Sequence, residues 1–132
     1  MTAAVAAPRQ NLDLPRVSIV TAFYNRAATV RASLESLLAQ DWPNLEIVAV
    51  DDGSTDGTAA ILRSYSDPRL RVIVQANTGF TTAISRAVEA ATGDFIAMHD
   101  GGDVSHPGRV TAQATLLMSR PEIGVVGCHV ED

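Results

Sequence analysis

Three carboxylates and two hydroxyls fall within six residues at Asp51-Asp52-Gly53-Ser54-Thr55-Asp56, directly after the apolar run Ile47-Val48-Ala49-Val50. A second acidic group, His99-Asp100-Gly101-Gly102-Asp103, follows Phe95-Ile96-Ala97-Met98. An ionised carboxylate is acceptor-only and a hard oxygen donor, so it suits imide N–H groups, sugar hydroxyls and divalent cations. In open α/β sheets, ligands bind in the crevice beyond the carboxyl ends of the strands. Two acidic strand ends in one small chain therefore point to a single pocket. That pocket would hydrogen-bond a sugar nucleotide, with metal-assisted handling of its phosphates.

The elements that must position these residues follow from apolar spacing. Val17 to Ala22 is compact and β-branched, a first strand. Asn25 follows as a turn residue, and Val30, Leu34, Leu37 and Leu38 then stripe one helical face. Asp41-Trp42-Pro43-Asn44 ends that helix, with Trp42 as a packing residue. Leu45 to Val50 is the second strand. Thr58 to Tyr65 is a helix capped by Ser54, Thr55 or Asp56, and Leu70 to Val74 is the third strand. After the Asn77-Thr78-Gly79 turn, Ala83, Ile84, Ala87, Val88 and Ala91 mark a third helix, with Gly93 as its C′ residue. Asp94 to Met98 is the fourth strand. Ser105-His106-Pro107 opens a fourth helix, with Pro107 near N1 and Gly108 in its first turn, striped by Val110, Ala114, Leu117 and Met118. Gly124 to Val130 reads as a last strand. Strands alternating with helices predict an α/β fold with a mostly parallel sheet covered on both faces.

The chain has 132 residues, which suits one domain, with residues 1–16 as a flexible tail and residues 17–132 as the folded unit. It is 46% apolar and 19% charged, with a net charge of −5 and no basic patch, so a nucleic-acid backbone is not its expected partner. No apolar run is long enough to cross a bilayer. The single Cys128 cannot form an internal disulfide and, within Val125-Val126-Gly127-Cys128, reads as a small buried hydrophobe. Met98 and Met118 read as core. His99 reads as a strand-end residue with a backbone partner, and His106 and His129 as local structural residues. Arg26, Arg63, Arg69 and Arg71 could contact phosphate, but most read as solvated surface charges. The Gly-x-Gly-x-x-Gly of a dinucleotide site is absent, because Ala22-Phe23-Tyr24-Asn25-Arg26 follows the first strand, and there is no P-loop.

Several segments in order carry a resemblance: Val17 to Asn25, Ser36 to Gln40, Val50 to Thr58, Asn77 to Gly79, Ala91 to Ala97, His106-Pro107 and Pro121 to Gly127. Together they resemble the family 2 glycosyltransferases of the GT-A fold, from about Arg16 to the end of the chain. The resemblance implies a Rossmann-like αβα sandwich, here the truncated nucleotide-binding half. It implies transfer of a sugar from a nucleotide donor, often UDP-linked, to an acceptor hydroxyl with inversion. Ala22, Phe23 and Tyr24 would lie against the nucleoside, and Asp51 or Asp52 would accept a bond from uracil. Thr78 and Gly79 would border the cleft. Asp100 would face the ribose and diphosphate, and Asp100 and Asp103 would hold Mg²⁺ or Mn²⁺. The family's usual setting is bacterial polysaccharide assembly, in the cytoplasm at the inner face of the membrane.

Two departures stand out. The family reads Asp-x-Asp-Asp where this chain reads Asp100-Gly101-Gly102-Asp103, so Gly102 replaces a metal-site carboxylate. A longer chain with acceptor-binding elements and a catalytic base normally follows, and Glu131-Asp132 comes too early to be that base. Both departures keep open a non-catalytic nucleotide-binding or interaction module. A bare sheet edge would favour a homo-oligomer.

Overall fold

The computed structural model describes residues 14–129. Its elements run β1 (Val17–Phe23), α1 (Val30–Leu38), β2 (Leu45–Asp52), α2 (Thr58–Arg63), β3 (Leu70–Gln75), α3 (Phe80–Ala90), β4 (Phe95–Asp100) and α4 (Arg109–Ser119). The strands form one sheet in the order β3-β2-β1-β4. Every pairing is parallel, as expected for strands joined by helical crossovers. The two inner strands, β1 and β2, are buried along their whole length, which explains why they read as unbroken apolar runs rather than alternating ones.

Successive residues of a strand point to opposite faces. Ile19, Phe23, Ile47 and Ala49 join one core with Val30, Leu34 and Leu37 of α1, Leu62 of α2, and Val110 and Ala114 of α4. Val20, Ala22, Val48 and Val50 form the other core with Ala83 and Ala87 of α3. Three helices thus cover one face and a single helix covers part of the other. The amino end of the sheet is closed by polar contacts. Trp42 is buried, and its Nε1–H donates to Pro15 O at 3.0 Å. Asn44 donates to Leu14 O at 3.0 Å, and Arg16 N–H donates to Asp94 Oδ2 at 2.9 Å. Residues 14–16, assigned to the tail from sequence, are therefore tied to the domain; residues 1–13 lie outside the described residues.

The structure corrects several expectations. Strands β2 and β4 run two residues further than expected, because parallel pairing continues through Phe23↔Asp51, Asp52↔Gln75 and Ala22↔Asp100. Helix α4 begins at Arg109 with Gly108 as its N-cap, so Pro107 lies outside the helix. Gly93 has no positive φ and is not a left-handed C′ residue. A Cβ there would lie 2.5 Å from Ser18 Oγ and 2.8 Å from Arg16 O, so close approach is what requires glycine. Residues 124–129 form no strand, and Val130 lies outside the described residues. That segment pairs with no sheet edge, so Val125 is 88% exposed and Cys128 is exposed rather than buried. Met98 and Met118 are also exposed, since no described element covers the outward faces of β4 and α4.

Candidate functional site

The extension of β2 through both acids separates their roles. Asp51 turns towards the three-helix face, is buried, and accepts the Ser54 N–H at 3.1 Å on Oδ2. Its Oδ1 has no partner among the described residues. Asp52 faces the other way, with Ala22 and Val50. It is 3% exposed, and it accepts bonds from Gln75 Nε2 at 3.0 Å, Thr78 N at 2.9 Å, Thr78 Oγ1 at 3.2 Å, Gly79 N at 3.0 Å and Asn77 Nδ2 at 3.4 Å. A carboxylate offers about four lone-pair sites, so this one is fully engaged. Burial pushes the Asp52 carboxyl upward, but these hydrogen bonds outweigh it and hold the group below its ordinary value. The acid thus shapes the turn over residues 75–79. Gly79 sits there at φ 96° and ψ 160°, a region open essentially to glycine alone, and it caps α3.

The tip of β4 is built differently. Asp100 is exposed, and its only side-chain partner among the described residues is Gly102 N–H at 3.4 Å. Asp103 is exposed as well, with its N–H donating to Asp100 O at 2.9 Å. The loop is pinned from below by His99, which is buried. Its Nε2 lies 3.0 Å from the Asp103 carbonyl and 3.0 Å from Ser33 Oγ, and its Nδ1 lies 3.0 Å from Ser105 Oγ. A carbonyl only accepts, so Nε2 carries the proton and Nδ1 accepts from the Ser105 hydroxyl. Ser105 Oγ in turn accepts from Arg109 Nη1 at 3.2 Å. Burial lowers the His99 pKa, which keeps the ring neutral at pH 7 and preserves this tautomer.

A third element closes the site. Asn25 adopts φ 52°, a left-handed conformation that asparagine tolerates, and its turn is stapled to the loop after β2. Asn25 N–H donates to Ser54 Oγ at 2.8 Å, and Thr55 N–H donates to Asn25 Oδ1 at 2.8 Å. Arg26 N–H donates to Thr58 Oγ1 at 2.9 Å, and Ala27 N–H to Asp56 Oδ2 at 3.1 Å. The hydroxyl-rich stretch Ser54 to Thr58 therefore builds the neighbouring turn. Asp56 also accepts the Thr58 N–H at 2.9 Å, while Gly57 is the helix N-cap.

An open cleft of about 200 Å³ is lined by Ala22, Phe23, Tyr24, Asp52, Asn77, Gly79 and Phe80. The register sets Ala22 beside Asp100, and strand alternation places Ala22, Asp52 and Asp100 on one face, with Asp52 and Asp100 separated by β1, about 10 Å across. Phe23 packs its ring into the three-helix core, so it borders the cleft without exposing that ring. Tyr24 at 49% and Phe80 at 57% are exposed aromatics. Sequence reasoning misses Phe80 and Asn77 as site residues; an aromatic residue directly after a glycine that opens a helix is the available signal for the first. A second, wider groove of about 1240 Å³ runs from Asp100, Gly102 and Asp103 past Arg109 to Cys128.

The donor set fits a resident divalent cation poorly. Among the described residues no three His, Cys, Asp or Glu side chains cluster to hold a metal. Asp100 and Asp103 are the carboxylates of the loop, and Gly101 and Gly102 lie between them. A Cβ at Gly102 would meet the Arg26 guanidinium, with Cζ and Nη1 both at 3.8 Å. The Arg26 guanidinium thus lies beside the place where a second carboxylate would be needed.

The signature of Glycosyl transferase family 2 matches residues 18–132. The chain is 36% identical over 117 residues to the putative glycosyltransferase EpsE of Bacillus subtilis, covering 86% of this chain and 42% of that protein. Among solved structures, TarS 1–349 of S. aureus in complex with UDP-GlcNAc superposes with a TM-score of 0.76 at 27% identity, covering 89% of this chain and 37% of the other. The mannosyltransferase PcManGT from Pyrobaculum calidifontis, in complex with GDP-Man and Mn²⁺, superposes with a TM-score of 0.67 at 31% identity, covering 75% of this chain and 30% of the other. The chain spans about two fifths of the length of these proteins, or less.

Proposed function

The chain belongs to glycosyl transferase family 2 and has the GT-A fold, and on that footing we propose that its cleft binds the nucleotide of a nucleotide-sugar donor, UDP-linked, for transfer of the sugar to an acceptor hydroxyl with inversion. The observation that carries the reading is the shared face of Ala22, Asp52 and Asp100 at the carboxyl ends of three adjacent parallel strands, with Ala22 and Asp52 lining the cleft and Asp100 beside Ala22 in register. Tyr24 and Phe80 flank a base, which gains stacking energy from an exposed aromatic face. Asp52 holds Thr78 and Gly79 as the opposite wall. Asp100, exposed and nearly unbonded, is the acceptor for ribose hydroxyls. His99, through the Asp103 carbonyl, fixes the loop that carries it. The unit that binds donor is residues 17–132.

Calorimetric titration of the chain with UDP and GDP tests this. UDP binds, more tightly than GDP, and Phe80→Ala and Tyr24→Ala each weaken it about tenfold, as loss of one base-stacking contact predicts. Equal heats of dilution for both nucleotides would overturn the proposal.

A further inference from the structure

Gly102 and its neighbour Gly101 are held for different reasons. A Cβ at Gly101 would lie 2.3 Å from Ala22 O, so that glycine is required by the parallel contact of β1 with β4. At Gly102 nothing comes nearer than 3.8 Å, an ordinary van der Waals distance, so the backbone has room for a side chain. No packing demand accounts for the missing carboxylate. What stands beside it is the Arg26 guanidinium.

The placement of Arg26 is not incidental. Its backbone N–H is bonded to Thr58, its carbonyl accepts from Val30 N at 2.8 Å and Thr29 N at 3.0 Å, and the residues on either side are bonded to Ser54, Thr55 and Asp56. The main chain of the turn is fixed. The guanidinium, by contrast, makes no hydrogen bond or ion pair among the described residues, even though Asp100 and Asp103 lie in the adjoining loop. A guanidinium has five N–H donors in a planar fork that matches phosphate oxygens bidentately. An unpaired one carried on a fixed turn, beside Gly102 in the groove that Asp100 and Asp103 also line, is free to receive an anion.

We propose that Arg26 supplies the cation for the donor diphosphate in this chain, and that the diphosphate binds without a divalent metal. The inference rests on the reading of the cleft as a nucleotide site. Gly102 belongs to the same arrangement: an aspartate there would pair with Arg26 and withdraw it from the phosphates, whereas glycine leaves the fork open.

The test is calorimetry of the whole chain with UDP and with uridine, each in EDTA and in Mn²⁺. UDP affinity in EDTA and in Mn²⁺ agrees within about twofold. Arg26→Gln lowers UDP affinity about tenfold in both buffers and leaves uridine unchanged, as loss of a charge-assisted contact requires, and Arg26→Lys recovers part of it. Gly102→Asp weakens UDP in EDTA and makes its binding rise with Mn²⁺. Arg26 is exposed and its side chain has no partner to lose, so the melting temperature of Arg26→Gln matches the parent. UDP binding that requires Mn²⁺, or Arg26→Gln binding UDP as tightly as the parent, overturns this inference while leaving the nucleotide site standing. Absence of UDP binding in every protein and buffer overturns both.

Discussion

Asp52 at the tip of β2 is buried and accepts hydrogen bonds from Gln75, Asn77, Thr78 and Gly79, whereas Asp100 at the tip of β4 is exposed and accepts one long bond from Gly102. Both are aspartates at carboxyl ends of strands that flank β1, and both share a face of the sheet. The difference lies in the path of the chain after each strand. After β2 the crossover leads to β3, whose end at Gln75 and succeeding turn fold back over Asp52 and consume its acceptors. After β4 the chain turns away through two glycines, and His99 holds the loop by its backbone rather than by its carboxylates. One acid shapes the site and the other is left free to meet a ligand. Glu46, at the opposite end of β2, reinforces the point. It is buried, and it accepts from Ser18 Oγ at 2.6 Å and Thr92 N at 2.9 Å, yet lies far from the cleft. An acidic strand end is a ligand group only where its lone pairs remain unclaimed.

The contrast is open to direct attack. Asp52→Ala strands the Thr78 and Gly79 N–H groups in a buried turn, each left unsatisfied at about 1–3 kcal/mol, so urea unfolding should show a loss of about 3 kcal/mol. Asp100→Ala should stay within about 0.5 kcal/mol, as a substitution of an exposed, nearly unbonded side chain. Equal losses at the two sites would erase the distinction. Within the β4 loop, Gly101→Ala drives a Cβ against Ala22 O and should cost about 2 kcal/mol, while Gly102→Ala should be nearly neutral. If the order reverses, the Arg26 side of the loop is the tightly packed one.

The smallest effect is with pH. Burial raises the Asp52 and Glu46 carboxyls, but hydrogen bonding prevails and both end below their ordinary values, Glu46 with further help from Arg16. A depressed carboxylate contributes stability that is complete above its unfolded pKa and lost as pH falls through its folded one. Unfolding free energy should therefore be level above about pH 5 and decline below about pH 4. Asp52→Asn should flatten that decline. An identical acid limb in the parent and the variant would show that Asp52 titrates alike folded and unfolded.

How much of this was legible in the sequence depends on how local each cause is. The four helices and the four paired strands follow from apolar spacing, and the acidic tips of β2 and β4 stood out as site candidates. Asp51 and Asp52 could not be separated, because which acid faces the cleft is fixed by strand parity, once pairing with Phe23 and Gln75 extends β2 through both. Cys128, Met98 and Met118 read as buried because they are apolar, yet burial needs an opposing surface and the described residues supply none. Arg26 read as one of four arginines that could contact phosphate, with nothing to single it out from the surface charges among them. Its place beside Gly102 arises from a turn stapled by Ser54, Thr55, Asp56 and Thr58, residues about thirty positions away, a coincidence of loops that no spacing rule encodes.

The seating of Trp42 has a practical consequence. It is the single tryptophan of the chain, it is buried, and its indole is tied to Pro15 beyond the amino end of the sheet, on the side away from Tyr24 and Phe80. Its intrinsic fluorescence should report loss of the folded state and stay silent when a nucleotide arrives. One spectroscopic channel can therefore follow denaturation without interference from ligand occupancy.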